Sequence, residues 1–364
     1  MPRRTATLLA STVTLLAILV AGVFIPVPYA EMSPGPTVNT LGEHDGEPVL
    51  HIKDRKTYPA GGHLNMTTVR VTGADYKMNL VEAVYGWLSP DDAVVPHESL
   101  YPDDTTAEEV DQQNAEQFTA SQESAKVAAL DELGIPFTTR VIVASVLAGG
   151  AAQGTLHAGD VIKAVDGQRV DGPGDVVELV TSHKPGEKVD FRIVPADRAA
   201  KAEKNGDDPR KLPGEDVTVT AKESDREPGK AMVGITAGTA HTFPFEIDIR
   251  LADVGGPSAG LMFALGIVDK LTKGDLTGGE FVAGTGTINP DGQVGPIGGI
   301  HMKTVGARDE GAEFFLTPAQ NCATAVRDVP DGLTLVRVRK MDDAMDALED
   351  IREGRVDRLV ECGE

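Results

Sequence analysis

The sequence predicts an α+β multidomain chain: an N-terminal membrane-spanning helix, a β-rich region carrying a long helix, a small unit of strands around one helix, and a C-terminal α/β unit. Three observations lead there. Thr5–Ile25 holds no charged residue, residues 106–133 have helix start and stop signals around one apolar stripe, and strand and helix patterns alternate after Phe243. With 364 residues, at roughly 100–200 per domain, the chain has room for two or three domains.

As a helix, residues 5–25 would span about 31 Å at ~1.5 Å per residue, enough for a bilayer core. Arg3 and Arg4 precede the span and predict a cytoplasmic N-terminus. The competing reading is a cleaved signal peptide. It needs a small-residue cleavage site, and the exit PVPYAEMSPGP offers only a poor one at Ala30. The expectation is a single-pass anchor in the cell membrane with the C-terminal domains extracytoplasmic.

Residues 30–136 form the second expected region. Val49–Ile52, Leu64–Thr72 and Val81–Leu88 read as strands, and Trp87, the sole tryptophan, reads as core. Thr106 with Glu109 makes a capping box, and Gly134 a C-terminal stop, so Thr106–Leu133 reads as a helix with Phe118, Ala125, Ala129 and Leu133 on one face. Residues 138–223 form the third region: strand Val141–Val146, strand Val161–Val165 ending at Asp166-Gly167, helix Asp175–Ser182, and strands Lys188–Val194 and Val217–Ala221. Ala196–Asp216 is polar and aperiodic and reads as a mobile loop. The fourth region is 231–364. Phe245–Leu251, Phe314–Leu316 and Thr334–Val338 read as strands; Ser258–Leu271, a segment from Ile300, and Met341–Glu353 read as helices.

Composition excludes several functions. Lys plus Arg number 34 against 56 Asp plus Glu, a net charge of −22. That argues against nucleic-acid binding and against a polybasic hold on anionic lipid. The two cysteines are not in a CxxC, which removes zinc-finger and thioredoxin-like sites. No GxxxxGK[ST] occurs, so there is no P-loop ATPase signature. The eight histidines are scattered and there is no HExxH; neither a metal nor a cofactor is expected.

The sharpest chemical signal is Gly255-Gly256-Pro257-Ser258-Ala259-Gly260. A serine at a tight turn before an apolar helix projects its Oγ where unpaired backbone N–H groups also point. The same pattern also suits a plain N-cap. It matches GxSxG too, but the α/β-hydrolase elbow needs a downstream acid and then a histidine, and only His301 follows. The other available base is Lys303, in the first turn after Gly298-Gly299; burial and the positive helix end would lower its pKa. An exposed surface lysine is the ordinary alternative.

Two resemblances add to this. Residues 138–223, with the order small-residue turn, AGDVI, VDG, resemble a PDZ domain of the bacterial type. The resemblance implies peptide addition to a sheet edge, in a groove between Val141 and Val143 and the helix bearing Val176, Leu179 and Val180. These side chains could equally be core. DVGGPSAG (253–260), Gly292-Gln293-Val294, and PIGG followed by Lys303 resemble the proteolytic domain of Lon-type serine peptidases. That resemblance implies Ser258 as nucleophile, Lys303 as base, the amides of Gly255 and Ser258 as the oxyanion hole, and Thr287 as support for Lys303. Anchor, PDZ-like unit and peptidase together resemble the membrane-anchored PDZ-containing Lon-like peptidases of bacteria (YlbL-like). This implies ATP-independent cleavage of unfolded or flexible proteins, with protein or peptide substrates as partners. A catalytically idle, membrane-tethered PDZ scaffold is the alternative. The sequence leaves open a homo-oligomer, and whether Cys322 and Cys362 form a disulfide.

Overall fold

The computed structural model describes residues 3–102, 105–205, 207–224, 227–252 and 254–363. Helix α1, Arg3–Phe24, carries the apolar span. Strands β1 (Tyr29–Asn39), β2 (Leu50–Ile52) and β3 (His63–Val71) follow. Leu80–Leu88 is helix α2, not the expected strand. Asn79 accepts from the Glu82 amide and Glu82 from that of Asn79, a capping box that outweighs the aromatic and β-branched content. Strand β4 is Ala93–Pro96. Helix α3, Ala107–Glu132, has the Thr106–Glu109 capping box, and Gly134 follows at φ +60°.

Residues 136–244 form a compact unit of their own. Strands β5 (Thr138–Val146) and β6 (Val161–Val165), helix α4 (Pro173–Thr181) and strand β7 (Lys188–Val194) lead to helix α5, Ala196–Lys204. The expected loop is thus partly helical. Asp160 accepts from the Ala196 amide at the helix start, Lys201 and Lys204 sit in the last turn, and Ala199 and Ala202 are buried. Strands β8 (Glu215–Thr220) and β9 (Ile235–Thr242) complete an antiparallel sheet of order β8-β7-β6-β5-β9. Phe191, Leu156, Val143 and Val189 are among its fully buried core residues.

The remaining elements are β10 (Ile247–Ile249), α6 (Gly260–Leu271), β11 (Phe281–Gly284), β12 (Thr287–Ile288), β13 (Val294–Gly295), α7 (Ile300–Asp309), β14 (Phe314–Pro318), α8 (Cys322–Ala325), β15 (Thr334–Val338) and α9 (Met341–Arg352). They join residues up to 135 in one unit. Its six-stranded sheet runs β15-β14-β11-β3-β1-β4. β11 pairs with β3 in parallel, so the N-terminal strands continue the sheet of the C-terminal ones. Residues 30–136 and 231–364 are therefore not separate domains. The boundary at 231 also moves, because β9 pairs antiparallel along β5 and belongs to the other unit. The physical reason is that neither strand set covers its apolar faces alone: α6 is buried along most of its length, and Phe118 of α3 packs edge-on against Phe263 at 5.8 Å. Cys322 and Cys362 form a disulfide that ties the C-terminal segment to α8.

Candidate active site

The site is built on two helix starts and one strand. Residues 254–259 form the turn into α6, whose N-cap is Ala259, with no side-chain capping bond. Ser258 is therefore not a capping serine. Four hydrogen bonds hold its loop. The Gly256 amide donates to Asn114 O at 3.0 Å, and Ser121 Oγ donates to Pro257 O at 3.0 Å. The Ser258 carbonyl accepts from the Gly286 amide at 2.8 Å and from Thr285 Oγ1 at 3.0 Å. Gly255 is required sterically, since a Cβ there would lie 2.9 Å from Asn114 Cβ.

Lys303 stands in the first turn of α7. Gly299 caps that helix at φ +67°, where a Cβ would lie 2.9 Å from Val69 Cγ2. Lys303 is only 3% exposed. Its Nζ lies 3.0 Å from Ser258 Oγ and donates to the Thr67 carbonyl of β3 at 2.7 Å. Burial alone pushes its pKa down from 10.5 to about 7. Ser258 and Lys303 open on a cleft of about 750 Å³, whose walls include Met32, Val38, Met66 and Val69. Gly255 lines the same cleft, and among the described residues its amide and that of Ser258 meet no acceptor. Asp253 lies outside the described residues.

Ser258, Lys303 and Gly255 thus converge. Thr287 does not: it sits in the β12–β13 hairpin opposite Gly295 and lines a different hollow with Asn289 and Gln293. Thr285, two residues earlier and fully buried, is the threonine that bonds the serine loop. Sequence reading also missed Thr67, Asn114 and Ser121. Ser121 had a signal, as a small polar residue on the buried face of a helix; a main-chain carbonyl such as that of Thr67 has none.

In the 136–244 unit, Val141, Val143, Val176 and Val180 are buried in one core, with Leu179 partly buried against it. β5 is not an open edge, because β6 lies on one side and β9 on the other. The expected groove strand is corrected accordingly. The sheet ends at β9, which packs beside α4; Ile235, Ala237 and Leu179 are partly buried against the core.

Comparison with known proteins finds two families, with bounds that differ from the structural units: the PDZ match starts inside α3 and ends within α5, before β8 and β9. The family model for the Lon protease (S16) C-terminal proteolytic domain matches residues 252–350, and that for the PDZ domain matches 111–203. Lon protease of Phenylobacterium zucineum (strain HLK1) is 38% identical over 105 residues, covering 28% of this chain and 13% of that protein. Lon protease 2 of Bacillus subtilis (strain 168) is 32% identical over 110 residues, covering 29% and 19%. The chain thus spans less than a fifth of the length of either relative. The PDZ domain of an SdrC-like protein from Listeria monocytogenes is 24% identical, covering 27% of this chain and 86% of that one, with a TM-score of 0.21. The chain is a mixed α/β protein with an N-terminal apolar helix, a PDZ domain and a C-terminal Lon protease domain, consistent with a PDZ-containing Lon-like protease. Its Lon homologues support a peptidase.

Proposed function

We propose that the protein is a membrane-anchored, ATP-independent serine endopeptidase that cleaves unfolded or flexible proteins, with Ser258 as nucleophile and Lys303 as general base. The observation that carries the reading is the 3.0 Å approach of Lys303 Nζ to Ser258 Oγ, with the amine held near pKa 7 by burial. Near neutral pH about half the amine is uncharged and can take the Ser258 proton as Oγ attacks the scissile carbonyl carbon. The oxyanion is received by the amides of Gly255 and Ser258. Collapse of the tetrahedral species breaks the C–N bond, and the Lys303 ammonium protonates the leaving amine. Water then attacks the acyl-serine ester, again deprotonated by Lys303.

The apolar cleft walls suit extended apolar segments, which a folded substrate does not present. The absence of a P-loop motif underlies the ATP independence. The open edge of β9 beside α4 would take the substrate or a gating peptide as an added strand. Helix α1, with an 18-residue window of mean hydropathy 2.3 that is 6% buried, would be the span, with the bulk extracytoplasmic. The test is casein cleavage by the full chain without ATP, wild type beside Ser258→Ala, Lys303→Ala and the double variant. Each single change should abolish cleavage by at least ~10³-fold and the double be little worse. Full activity in Ser258→Ala refutes the mechanism, and an inactive wild type supports the idle scaffold.

A further inference from the structure

Helix α2 has an unusual polarity. Toward the fold it turns its smallest residues: Ala83 and Gly86 are buried, and a Cβ at Gly86 would lie 2.7 Å from Val94 Cγ2. Outward it turns its largest. Tyr85 is 73% exposed, Leu88 79% and Trp87 54%, the last with its ring edge-on to Tyr29 at 5.3 Å, and Leu80 and Val84 are also exposed. Its only charged residue, Glu82, is occupied by the Asn79 amide and Tyr76 hydroxyl. A helix face of exposed large apolar side chains is unfavourable in water and marks a binding face.

The occupant follows from where α2 is attached. Leu80 N donates to Ile25 O at 3.0 Å, Val27 N donates to Met78 O at 2.9 Å, and Pro26 bridges to Asn79. Helix α1 ends at Phe24. The start of α2 is therefore hydrogen-bonded to the residues at the exit of the apolar span. If that span crosses the bilayer, α2 lies at headgroup depth, where Trp and Tyr rings are favoured. Resting on the anchor reading above, we propose that α2 is an interfacial helix, its Leu80, Val84, Tyr85, Trp87 and Leu88 face seated in the headgroup–acyl boundary of the outer leaflet. The contact is apolar and aromatic, so zwitterionic lipid suffices. It also reaches the catalytic helix: Pro90 O, just after α2, lies 3.2 Å from His301 Nε2, two residues before Lys303. The cleft is thereby held close to the membrane surface, and the substrates are unfolded segments of polypeptides at that surface.

Trp87 is the only tryptophan, so all tryptophan emission reports on α2. The full chain is reconstituted into phosphatidylcholine vesicles with and without phosphatidylcholine brominated high on the acyl chains. Flotation with the vesicles reads the anchor. Loss of Trp87 emission to brominated lipid, with shielding from acrylamide, reads α2. In Tyr85→Ser/Leu88→Glu the chain should still float, while Trp87 loses the lipid quenching and opens to acrylamide. A wild-type chain that floats without lipid quenching overturns the proposal and leaves the anchor intact. So does quenching that survives in the double variant. Concentration-dependent shielding from acrylamide without lipid quenching would overturn it by giving the face to a second copy of the chain. A chain that does not float refutes the anchor reading, and this proposal with it.

Discussion

On the proposed mechanism, replacing Lys303 by Met removes the base; it also changes how stability depends on pH. The folded pKa of about 7 lies below the unfolded value of 10.5, so between those pH values the unfolded chain binds more protons and wild-type stability rises with pH. Below pH 7 the full penalty of burying an amine that would rather be charged is present. A shift of about 3.5 units is worth about 5 kcal/mol at 1.36 kcal/mol per unit. Methionine escapes that penalty and keeps most of the side-chain volume, but leaves the Thr67 carbonyl without its donor, a loss of about 1–3 kcal/mol. The variant should therefore be more stable than wild type by about 2–4 kcal/mol at pH 6 and less stable at pH 10.5 and above, the two curves crossing between about pH 8 and 10. Urea unfolding of both full-length proteins in one detergent at pH 6, 8, 9 and 10.5, followed by circular dichroism, measures this. Wild-type kcat/KM should in parallel rise with pH and level off above about 7. A stability difference that does not move with pH would refute the assignment of a desolvated amine to this position.

Thr285→Val should lower kcat by about 10- to 100-fold with little change in KM, through loss of one buried hydrogen bond to the serine loop, whereas Thr287→Val should stay near wild type in the same assay. Reducing the Cys322–Cys362 disulfide opens a loop of 40 residues, worth about 4 kcal/mol in the chain-entropy treatment, and should lower the melting temperature of the unit formed by residues 3–135 and 245–363; calorimetry with and without reductant checks it. Asp269, fully buried with its pKa raised to about 6 by desolvation, weakens the fold increasingly from pH 3.8 to 6 and constantly above; Asp269→Asn should add up to about 3 kcal/mol at pH 7 and nothing at pH 3, by urea titration. Residues 245–364 expressed alone should not fold, because β11 loses β3 and α6 loses α3; a cooperative melt for that fragment would contradict the shared sheet.

What the sequence disclosed, and what it hid, follows how local each signal is. The capping box at Thr106–Glu109 and the glycine after α3 are written within a few residues and were legible. The local turns GGPSAG and PIGG left Ser258 as a possible N-cap and Lys303 as a possible surface lysine; only the resemblance to Lon-type peptidases paired them, and the structure has Lys303 Nζ 3.0 Å from Ser258 Oγ. The strand reading of 81–88 failed because large apolar residues signal burial, whereas α2 turns them outward and buries alanine and glycine. Helix α5 was missed because the segment is polar overall: Ala199 and Ala202 mark one buried face, but residues this small among charges read as loop. The resemblance put Thr287 beside Lys303, but it faces the β12–β13 hairpin; the neighbouring Thr285 serves a different part, bonding the Ser258 carbonyl, which only the third dimension shows.

The same distinction explains why the candidate active site cannot be read from its matched segment alone. Residues 252–350 contain Ser258 and Lys303, but most of what sets their geometry lies elsewhere. Asn114 and Ser121 on α3 fix the carbonyl and amide positions of the glycine turn. The Thr67 carbonyl on β3 holds Lys303 Nζ, and β3 also walls the cleft. Burial is the one cause of the lowered pKa, and the walls beside Lys303 include Met32 and Val38 of β1 and Met66 and Val69 of β3. An amine in the same helix turn, with β1 and β3 absent, would be hydrated and protonated at neutral pH, and so useless as a base. On the proposed mechanism the N-terminal strands would take part in the chemistry: the Thr67 carbonyl of β3 binds Lys303 Nζ, and β1 and β3 wall the cleft beside it.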